Sequence, residues 1–264
     1  MSDYPCVLCV SGHDPTGGAG VQADAETIAS LGCHAATVVA CLTVQDTRDV
    51  QEIHPQPPSL VRRQMAAVLD DLPIRAAKVG LLGSAELVAA VAELLGALPG
   101  IPIVVDPVLA AGGGHELASA ELIAAYRRHL LPIATLATPN ALEACRLAPA
   151  ATPADAAAVL LSDGCGAVLV TGGHSEDGPT VVDRLYRRDR PVAGFGVARI
   201  PGRFHGTGCT LASGIAAGLA AGKPLDGAIR AAQAFTHDAI RAAFRAGSGQ
   251  SLLRRIRCWE VRRD

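Results

Sequence analysis

A glycine-rich turn near the C-terminus combines residue types that can hold an anion and accept a proton. The turn, His205-Gly-Thr-Gly-Cys209, leads into an alanine-rich apolar segment, Ile215 to Ala221, whose composition predicts a helix. The first amide groups of a helix lack intrahelical partners, and with the helix dipole they attract anions such as a phosphoryl group. Cys209 would lie in the same positive field, which favours the thiolate. The same residues also fit a tight loop capped by Thr207, with Cys209 as a small buried residue.

A second glycine-rich segment, near the N-terminus, predicts a ligand-binding loop. The apolar run Cys6–Val10 is followed by the loop Ser11–Gly20, which leads into a helical pattern from Val21 to Leu31. A strand, a glycine loop and a helix in this order begin a βαβ unit whose turn binds ligands. The loop has neither the dinucleotide-binding spacing nor the Gly-Lys-Ser/Thr of a P-loop. Asp24 falls in the first predicted turn of the helix, where it either complements the dipole or accepts hydrogen bonds from a ligand.

Polar residues also stand where later strands are expected to end. Asp106 follows a buried apolar strand, and in doubly wound sheets ligands bind at the carboxyl ends of strands. Gln45 follows another strand and either presents a donor and an acceptor to a ring or lies in a surface turn. Asn140 and Glu143 share one face of an opening helix. They either orient a hydrated Mg²⁺ or form a capping pair, and both can hold at once.

Apolar runs and helical spacings alternate along the whole chain, and no linker or repeat divides it. Residues 1–264 are therefore predicted to form a single α/β domain. Two segments around a polar, arginine-rich turn predict an antiparallel hairpin at the sheet edge. The predicted strands are 6–10, 35–42, 76–80, 101–106, 134–138, 167–171, 180–186 and 192–200. The predicted helices are 21–31, 57–71, 85–98, 119–131, 154–163, 215–221 and 224–246, before a basic, surface-docked tail at 252–264.

The composition excludes several classes of function. The 23 basic and 25 acidic residues nearly balance, which argues against binding to nucleic acid or to a membrane surface. Three Tyr, four Phe and one Trp leave little for stacking on bases. No apolar run reaches the roughly 20 residues of a membrane span, and no charged-then-apolar leader follows Met1. The expected location is the cytoplasm.

Several stretches, in the right order, resemble one family. They are the segments 11–24 and 42–47, Lys78-Val-Gly80, Val105-Asp-Pro-Val108, the segment 138–143, Gly172-Gly-His174 and the segment 205–210. Together they resemble the hydroxymethylpyrimidine/phosphomethylpyrimidine kinases of thiamine biosynthesis, which belong to the ribokinase-like superfamily. Most ribokinase-like enzymes carry Asp where Cys209 stands. The resemblance implies a ribokinase-like fold: a mostly parallel central sheet, helices on both faces and an antiparallel edge hairpin.

The resemblance also implies an activity and a site. A γ-phosphoryl group would pass from ATP, with Mg²⁺, to the hydroxymethyl group of 4-amino-5-hydroxymethyl-2-methylpyrimidine and then to its monophosphate. Relatives suggest a homodimer. Carried over by position, Cys209 would be the base, and the amides of Gly206, Thr207 and Gly208 would form the anion hole. The pyrimidine would be held by Asp24, Gln45 and the backbone of Val108, in a pocket lined by Gly12, Ala19 and Leu81. Asn140, Thr171 and Gly173 would serve the nucleotide, and Asp106 and Glu143 would serve the metal.

Two departures from the family pattern concern positive charge. Ala111-Gly112-Gly113-Gly114 replaces the usual Lys-Ser-Gly segment, and Thr171 replaces the usual basic residue before Gly-Gly-His. Both remove charge near the expected phosphates, so they bear mainly on the second phosphorylation. Two alternative functions remain open: a pyridoxal/pyridoxine kinase of the same superfamily, and a non-catalytic pyrimidine-binding protein.

Overall fold

The molecule is built on a nine-stranded sheet. The computed structural model describes residues 4–109, 118–173 and 178–256. The strands of the large sheet are β1 Cys6–His13, β2 His34–Gln45, β3 Val50–Pro55, β4 Ile74–Val79, β5 Ile103–Val105, β6 Leu136–Ala137, β7 Ala167–Val170, β8 Thr180–Arg187 and β9 Ala193–Ala198. A separate two-stranded sheet pairs β10 Phe204–His205 with β11 Ser251–Leu252.

Helices connect most of these strands. They are α1 Gly20–Ser30, α2 Pro58–Asp71, α3 Ala85–Gly96, α4 Ala120–Ala125, α5 Ala141–Leu147, α6 Pro153–Ser162, α7 Thr207–Ala220 and α8 Leu225–Arg241. Helix α4 continues into a π-helical turn, Tyr126–Leu130, and a 3₁₀ turn, Leu131–Ile133. Within the described ranges, no helix combines the length and apolarity needed to cross a membrane.

The sheet is parallel in its centre and antiparallel at both edges. Its strand order is β3-β2-β1-β4-β5-β6-β7-β8-β9, and the run from β2 to β7 in that order is parallel. The predicted edge hairpin is confirmed as β8 and β9. Strand β3, at the opposite edge, was not predicted. It is mostly exposed and lacks apolar alternation, and a turn closed by the carboxylate of Asp46 leads into it.

Two hydrophobic cores lie on the two faces of the sheet, because successive side chains of a strand point to opposite sides. On β1, Leu8 and Val10 pack into one core with helices α2 to α6. Val7 and Cys9 pack into the other core with helices α1, α7 and α8. The predicted arrangement of helices on both faces is thereby confirmed.

The predicted surface tail is wrong over its first part. Helix α8 ends at Arg241 rather than at residue 246, and the chain then returns so that β11 pairs with β10. Leu252, Leu253 and Arg255 are only 5%, 3% and 2% exposed. A basic composition suggested a solvated segment, but pairing with β10 buries it. The rest of the tail, from residue 257, lies outside the described residues.

Candidate active site

The carboxyl ends of the central strands meet at one edge of the sheet. Backbone hydrogen bonds join these ends: Gly80 donates to Val10, Asp106 to Val79 and Thr138 to Val105. Because parallel strands end on the same side, the loops that follow them converge there. The predicted site residues after β1, β4, β5, β6 and β7 therefore share this edge.

Helix α7 begins at the edge with Thr207, one residue after its N-cap, Gly206. Gly206 has a φ of +82°, and a Cβ built on it would overlap the carbonyl oxygen of Gly18 in the loop after β1. Both facts require glycine here. The N-cap is Gly206 and no described side chain caps the helix, so the alternative of a loop capped by Thr207 is wrong. The amides of Thr207, Gly208 and Cys209 lie in the first turn, where helix geometry leaves N–H groups without intrahelical partners.

Cys209 differs from its prediction. Cys209 is 9% exposed, and its thiol lies close to the carboxylate of Asp106 and to the amide of Gly20. Burial raises the pKa of Cys209 to about 12, and the nearby Lys78 ammonium offsets only part of this rise. The expectation that the helix start would favour a thiolate is therefore wrong, because desolvation exceeds the attraction of the positive groups. The sulfur therefore carries a proton at neutral pH.

Asp24 is buried rather than exposed to the loop. It is the fifth residue of α1, so it lies in the second turn and not in the first. Its Oδ1 accepts hydrogen bonds from Lys78 Nζ at 2.8 Å and from Ser213 Oγ at 2.7 Å. Within the part of the chain that the structure describes, its Oδ2 has no hydrogen-bond partner and no solvent contact. The predicted contact of Asp24 with the pyrimidine stays a prediction, and only Oδ2 is left to make it.

Sequence reasoning gave Lys78 no role, although the structure places it at the centre of the site. Its side chain is fully buried between Asp24 and Asp106, with Nζ 4.0 Å from the Asp106 carboxylate. Burial lowers its pKa, but the carboxylates of Asp24 and Asp106 more than offset this and raise the pKa above its usual value. The signal in the sequence was a lysine inside an apolar strand, since a buried lysine needs a carboxylate partner.

Asp106 and Glu143 have oxygens suited to Mg²⁺, which prefers oxygen ligands and often takes only one or two protein carboxylates beside phosphate oxygens. Asp106 Oδ2 is buried without a hydrogen bond to any residue that the structure describes, and a Cβ on Gly208 would lie 3.8 Å from Oδ1. Glu143 accepts hydrogen bonds from Leu109 and Asn140 amides at 3.3 and 2.9 Å. Among the described residues, no three His, Cys, Asp or Glu side chains form a metal-binding group. The donors fit a metal held mainly by phosphate and water.

The capping box at the start of α5 is present. Asn140 Oδ1 accepts a hydrogen bond from the Glu143 amide at 2.9 Å, and the Glu143 side chain accepts one from the Asn140 amide. Burial and the neighbouring charge of Asp106 raise the pKa of Glu143 to about 7. Since both carboxylate oxygens already accept an amide, any contact of Glu143 with Mg²⁺ must use their remaining lone pairs or a bridging water.

Residues predicted to hold the pyrimidine lie around the loop after β1. Gln45 Nε2 lies 3.4 Å from His205 Nε2, whose ring also contacts Asp14 at 2.8 Å. A Cβ on Gly12 would lie 3.3 Å from the Leu81 side chain, so these two predicted pocket residues are neighbours. The amide of Val108 donates to the Asp106 carbonyl at 2.9 Å, which leaves the Val108 carbonyl for a ring amino group.

Asp14, which was given no role from the sequence, organises this loop. Its carboxylate accepts hydrogen bonds from the Thr16 amide and hydroxyl, from the predicted pocket residue Ala19, and from His205. Burial raises the pKa of Asp14, but the hydrogen bonds from His205 and Thr16 outweigh it and lower the pKa to about 2. An Asp-Pro-Thr-Gly run is typical of a turn closed by an aspartate side chain, which was the available signal.

The predicted nucleotide residues lie at the neighbouring strand ends. Asn140 and Thr171 form an isolated β-bridge, and the Thr171 amide donates to the Pro139 carbonyl at 3.0 Å. Gly173 is exposed two residues further on. The structure joins none of these three directly to Cys209, so their nucleotide roles stay predictions. His174 and the Gly112–Gly114 loop lie outside the described residues.

Solved structures identify the class of this fold and site. The Bacillus subtilis pyridoxal kinase in an ADP complex superposes with a TM-score of 0.88 and 27% identity, covering 96% of this chain and 97% of that one. A phosphomethylpyrimidine kinase from Clostridium difficile superposes with a TM-score of 0.78 and 28% identity, covering 89% and 99%. The fold and the helix-start site thus define a ribokinase-like small-molecule kinase.

The sequence identifies the family within this class. Residues 14–254 match the family described as phosphomethylpyrimidine kinase. A Rhizobium meliloti protein named hydroxymethylpyrimidine/phosphomethylpyrimidine kinase is 40% identical over 250 residues, which cover 92% of this chain and 93% of that protein. The chain belongs to the phosphomethylpyrimidine kinase family.

Proposed function

We propose that this protein transfers the γ-phosphoryl group of ATP to 4-amino-5-hydroxymethyl-2-methylpyrimidine and then to its monophosphate, which supplies the diphosphate for thiamine biosynthesis. The observation that carries the proposal is the direct packing of the anion-binding helix start on the ligand loop, at Gly206 and Gly18. This contact supports the proposal, because amides suited to a phosphoryl group would then lie beside the pocket predicted to hold the acceptor. Phosphoryl transfer needs mainly this alignment and the neutralisation of charge.

The site suggests how the acceptor alcohol loses its proton. The thiol of Cys209 lies close to the Asp106 carboxylate, and its raised pKa keeps it protonated. We propose that the thiol gives its proton to the Asp106 carboxylate while the sulfur takes the proton of the alcohol. The alcohol oxygen then forms its bond to the γ-phosphorus as the bond to the ADP oxygen breaks. Cys209 forms no covalent phosphate, and it acts as a positioned base.

ATP and Mg²⁺ complete the proposed site. Kinases of similar structure have been solved with ADP, which supports a nucleotide site here. Asn140, Thr171 and Gly173 lie where the nucleotide is proposed to bind. Glu143, through water, and Asp106, through water or the oxygen that stays unprotonated, would hold Mg²⁺; Asp106 Oδ2 accepts no hydrogen bond among the described residues but lies 4.0 Å from the Lys78 ammonium. The metal would neutralise charge on the phosphates.

The Asp24–Gln45–Val108 set suits an aminopyrimidine, because a carboxylate and a carbonyl accept from its ring-edge donors and a carboxamide both donates and accepts. Pyridoxal is the second candidate acceptor, since pyridoxal kinases superpose on nearly the whole chain. It carries a ring hydroxymethyl group of the same kind. A binding protein without catalysis is the third alternative.

One experiment separates these functions: coupled ADP release measured separately with the pyrimidine alcohol, its monophosphate and pyridoxal. Turnover of the first two acceptors is expected. Turnover of pyridoxal alone would establish the second candidate, and ligand-induced thermal stabilisation without ADP release would establish a binding protein. Turnover of the alcohol but not of its monophosphate would exclude the second phosphorylation. This is the step on which the two departures that remove positive charge near the expected phosphates mainly bear.

We also propose a cytoplasmic homodimer. Leu42 and Val44 are 46% and 44% exposed on β2 near the β2–β3 edge, which supplies an apolar surface for a second copy. Light scattering of the full chain tests the dimer, and replacement of both residues by Thr should shift the mass towards the monomer.

A further inference from the structure

The guanidinium of Arg255 contacts three elements near the proposed site: the ligand loop after β1, helix α1 and helix α7. The side chain is 2% exposed although it belongs to the C-terminal segment of the described chain. It donates to the Gly17 and Gly18 carbonyls of the ligand loop, to Glu26 on α1 and to Thr210 on α7. The Arg255 carbonyl in turn accepts a hydrogen bond from Ser30 at 3.0 Å.

These contacts occupy four of the five N–H groups of a guanidinium. Nε donates to Thr210 Oγ1 at 2.9 Å, Nη1 donates to Gly17 and Glu26 at 3.3 and 3.2 Å, and Nη2 donates to Gly18. Glu26 balances the positive charge. Arg255 is therefore not arranged to bind a substrate phosphate. Its rigid fork instead sets the relative position of the groups around it.

The contact with Thr210 reaches the anion hole. The Thr210 hydroxyl accepts from Arg255 and donates to the Gly206 carbonyl at 2.7 Å, and the Thr210 amide donates to the same carbonyl at 3.0 Å. In a planar trans peptide, the N–H points opposite to the C=O. With the Gly206 carbonyl held towards the helix, the Thr207 amide points away from the helix start, towards the expected phosphoryl group.

The second contact reaches the ligand loop. The Gly18 carbonyl, which accepts from Arg255, is the group against which Gly206 packs. The ligand loop and the turn at Gly206 therefore meet at the Gly18 carbonyl. Arg255 donates a hydrogen bond to this carbonyl and is linked to the Gly206 carbonyl through the Thr210 hydroxyl. We propose that Arg255 is a positioning residue that aligns the acceptor loop with the helix-start amides through Gly18 and Thr210. This inference rests on the proposed function.

The test is steady-state kinetics of the full chain with ATP and the pyrimidine alcohol. Arg255→Met removes the hydrogen bonds but keeps a long side chain. Its kcat should fall by about 10- to 100-fold, the scale of a small misalignment of reacting groups, while the KM for ATP stays within about twofold of wild type by the same reasoning. Arg255→Lys, which lacks the planar fork, should recover only a small part. Arg254→Met is the matched control, because Arg254 is exposed and contacts the Phe244 ring; its kcat should not change.

Thr210→Val tests the connection without changing Arg255. If the two residues act through one path, the double variant Arg255→Met/Thr210→Val should lose little more activity than the worse single variant. Millimolar methylguanidinium should restore part of the lost rate in Arg255→Ala but not in Thr210→Val. Additive losses, or a wild-type kcat in Arg255→Met, would overturn the inference. If Arg255→Met does not fold, Thr210→Val and Arg255→Lys decide, and a wild-type kcat in both would overturn it. An inactive wild type would instead refute the proposed function.

Discussion

Lys78 Nζ lies 2.8 Å from the Asp24 carboxylate, and both side chains have no solvent exposure. The same ammonium lies 4.0 Å from the carboxylate of Asp106, which is close to the Cys209 thiol. The single positive charge of Lys78 thus compensates two buried carboxylates near the start of α7. Without it, the carboxylates would repel each other, and each would bear the cost of desolvation alone.

Replacement of Lys78 by Met should destabilise the protein by about 3–5 kcal/mol, because it leaves buried carboxylates without a partner. Urea unfolding monitored by circular dichroism measures the effect. Lys223→Met is the matched control, since Lys223 is exposed, and its free energy of unfolding should stay near that of wild type. Adding Asp24→Asn to Lys78→Met should recover part of the loss. No recovery would mean that the buried charge is not the cause.

Cys209→Ala should lower kcat by about two orders of magnitude, which is the lower end of the usual effect of a positioned base. The KM for the pyrimidine should change little. Cys165→Ala is a matched control, because Cys165 is also buried with a raised pKa but lies in the core with α6. The raised pKa of Cys209 also predicts slow alkylation by iodoacetamide at pH 8 compared with the partly exposed Cys145. A near-normal kcat in Cys209→Ala would remove the thiol from the mechanism.

Asp14→Asn should reduce stability at neutral pH by up to about 2 kcal/mol. The pKa of Asp14 is lowered to about 2 in the folded protein, so the unfolded chain takes up its proton first as the pH falls. The stabilisation is present above the usual pKa of 3.8 and is lost as the pH falls towards 2. The difference between wild type and Asp14→Asn in urea unfolding should therefore shrink between pH 5 and pH 3. Asp70→Asn, at an exposed position of α2, should show no such trend.

Features that depend on neighbouring residues could be predicted from the sequence. The loop between β1 and α1, the position of Asp106 after β5, and the capping pair of Asn140 with Glu143 all follow from local patterns. Glycine at position 206 was similarly recognisable, because few other residues adopt its backbone conformation.

Features that depend on distant contacts could not. The pairing of Lys78 with Asp24 joins residues 54 positions apart, and the contact of Arg255 with Gly18 spans 237. The prediction of a lowered pKa for Cys209 was wrong for the same reason. The sequence indicates the helix whose dipole acts on the thiol, but it does not show the packing that desolvates the thiol. A basic tail likewise gives no sign that one arginine will be buried.

Gly206→Ala should abolish most activity and destabilise the protein by more than about 1–2 kcal/mol, the cost of a left-handed backbone alone. The added methyl group would overlap the Gly18 carbonyl and approach the Arg255 guanidinium. Gly222→Ala is the matched control in the same part of the chain: its φ is +78°, but nothing lies within 4 Å of the added Cβ. It should show only the backbone cost and a normal kcat. Equal losses in both variants would mean that the contact with Gly18 is unimportant.

The contribution of Glu143 to stability should depend on pH with the opposite sign to that expected for Asp14. Burial and Asp106 raise the pKa of Glu143 from 4.5 to about 7, so between these values the folded protein holds a proton that the unfolded chain has released. Stability from this group is complete below pH 4.5 and falls as the pH rises through about 7. Glu143→Gln can keep the capping contact with the Asn140 amide and loses the contact with the Leu109 amide at every pH. Relative to this variant, wild type should lose up to about 3 kcal/mol between pH 5 and pH 8.

Urea unfolding of both proteins at pH 5 and pH 8 measures this difference. Glu86→Gln, at an exposed position in the first turn of α3, is the control and should show no change between the two pH values. The kinetic counterpart follows from the need for a carboxylate near Mg²⁺. The wild-type kcat should rise with pH through about 7, the pKa of Glu143, and this rise should be absent in Glu143→Gln. A stability difference that does not depend on pH would mean that Glu143 is ionised in the folded protein at both pH values. That result would contradict the rise in its pKa caused by burial and by Asp106.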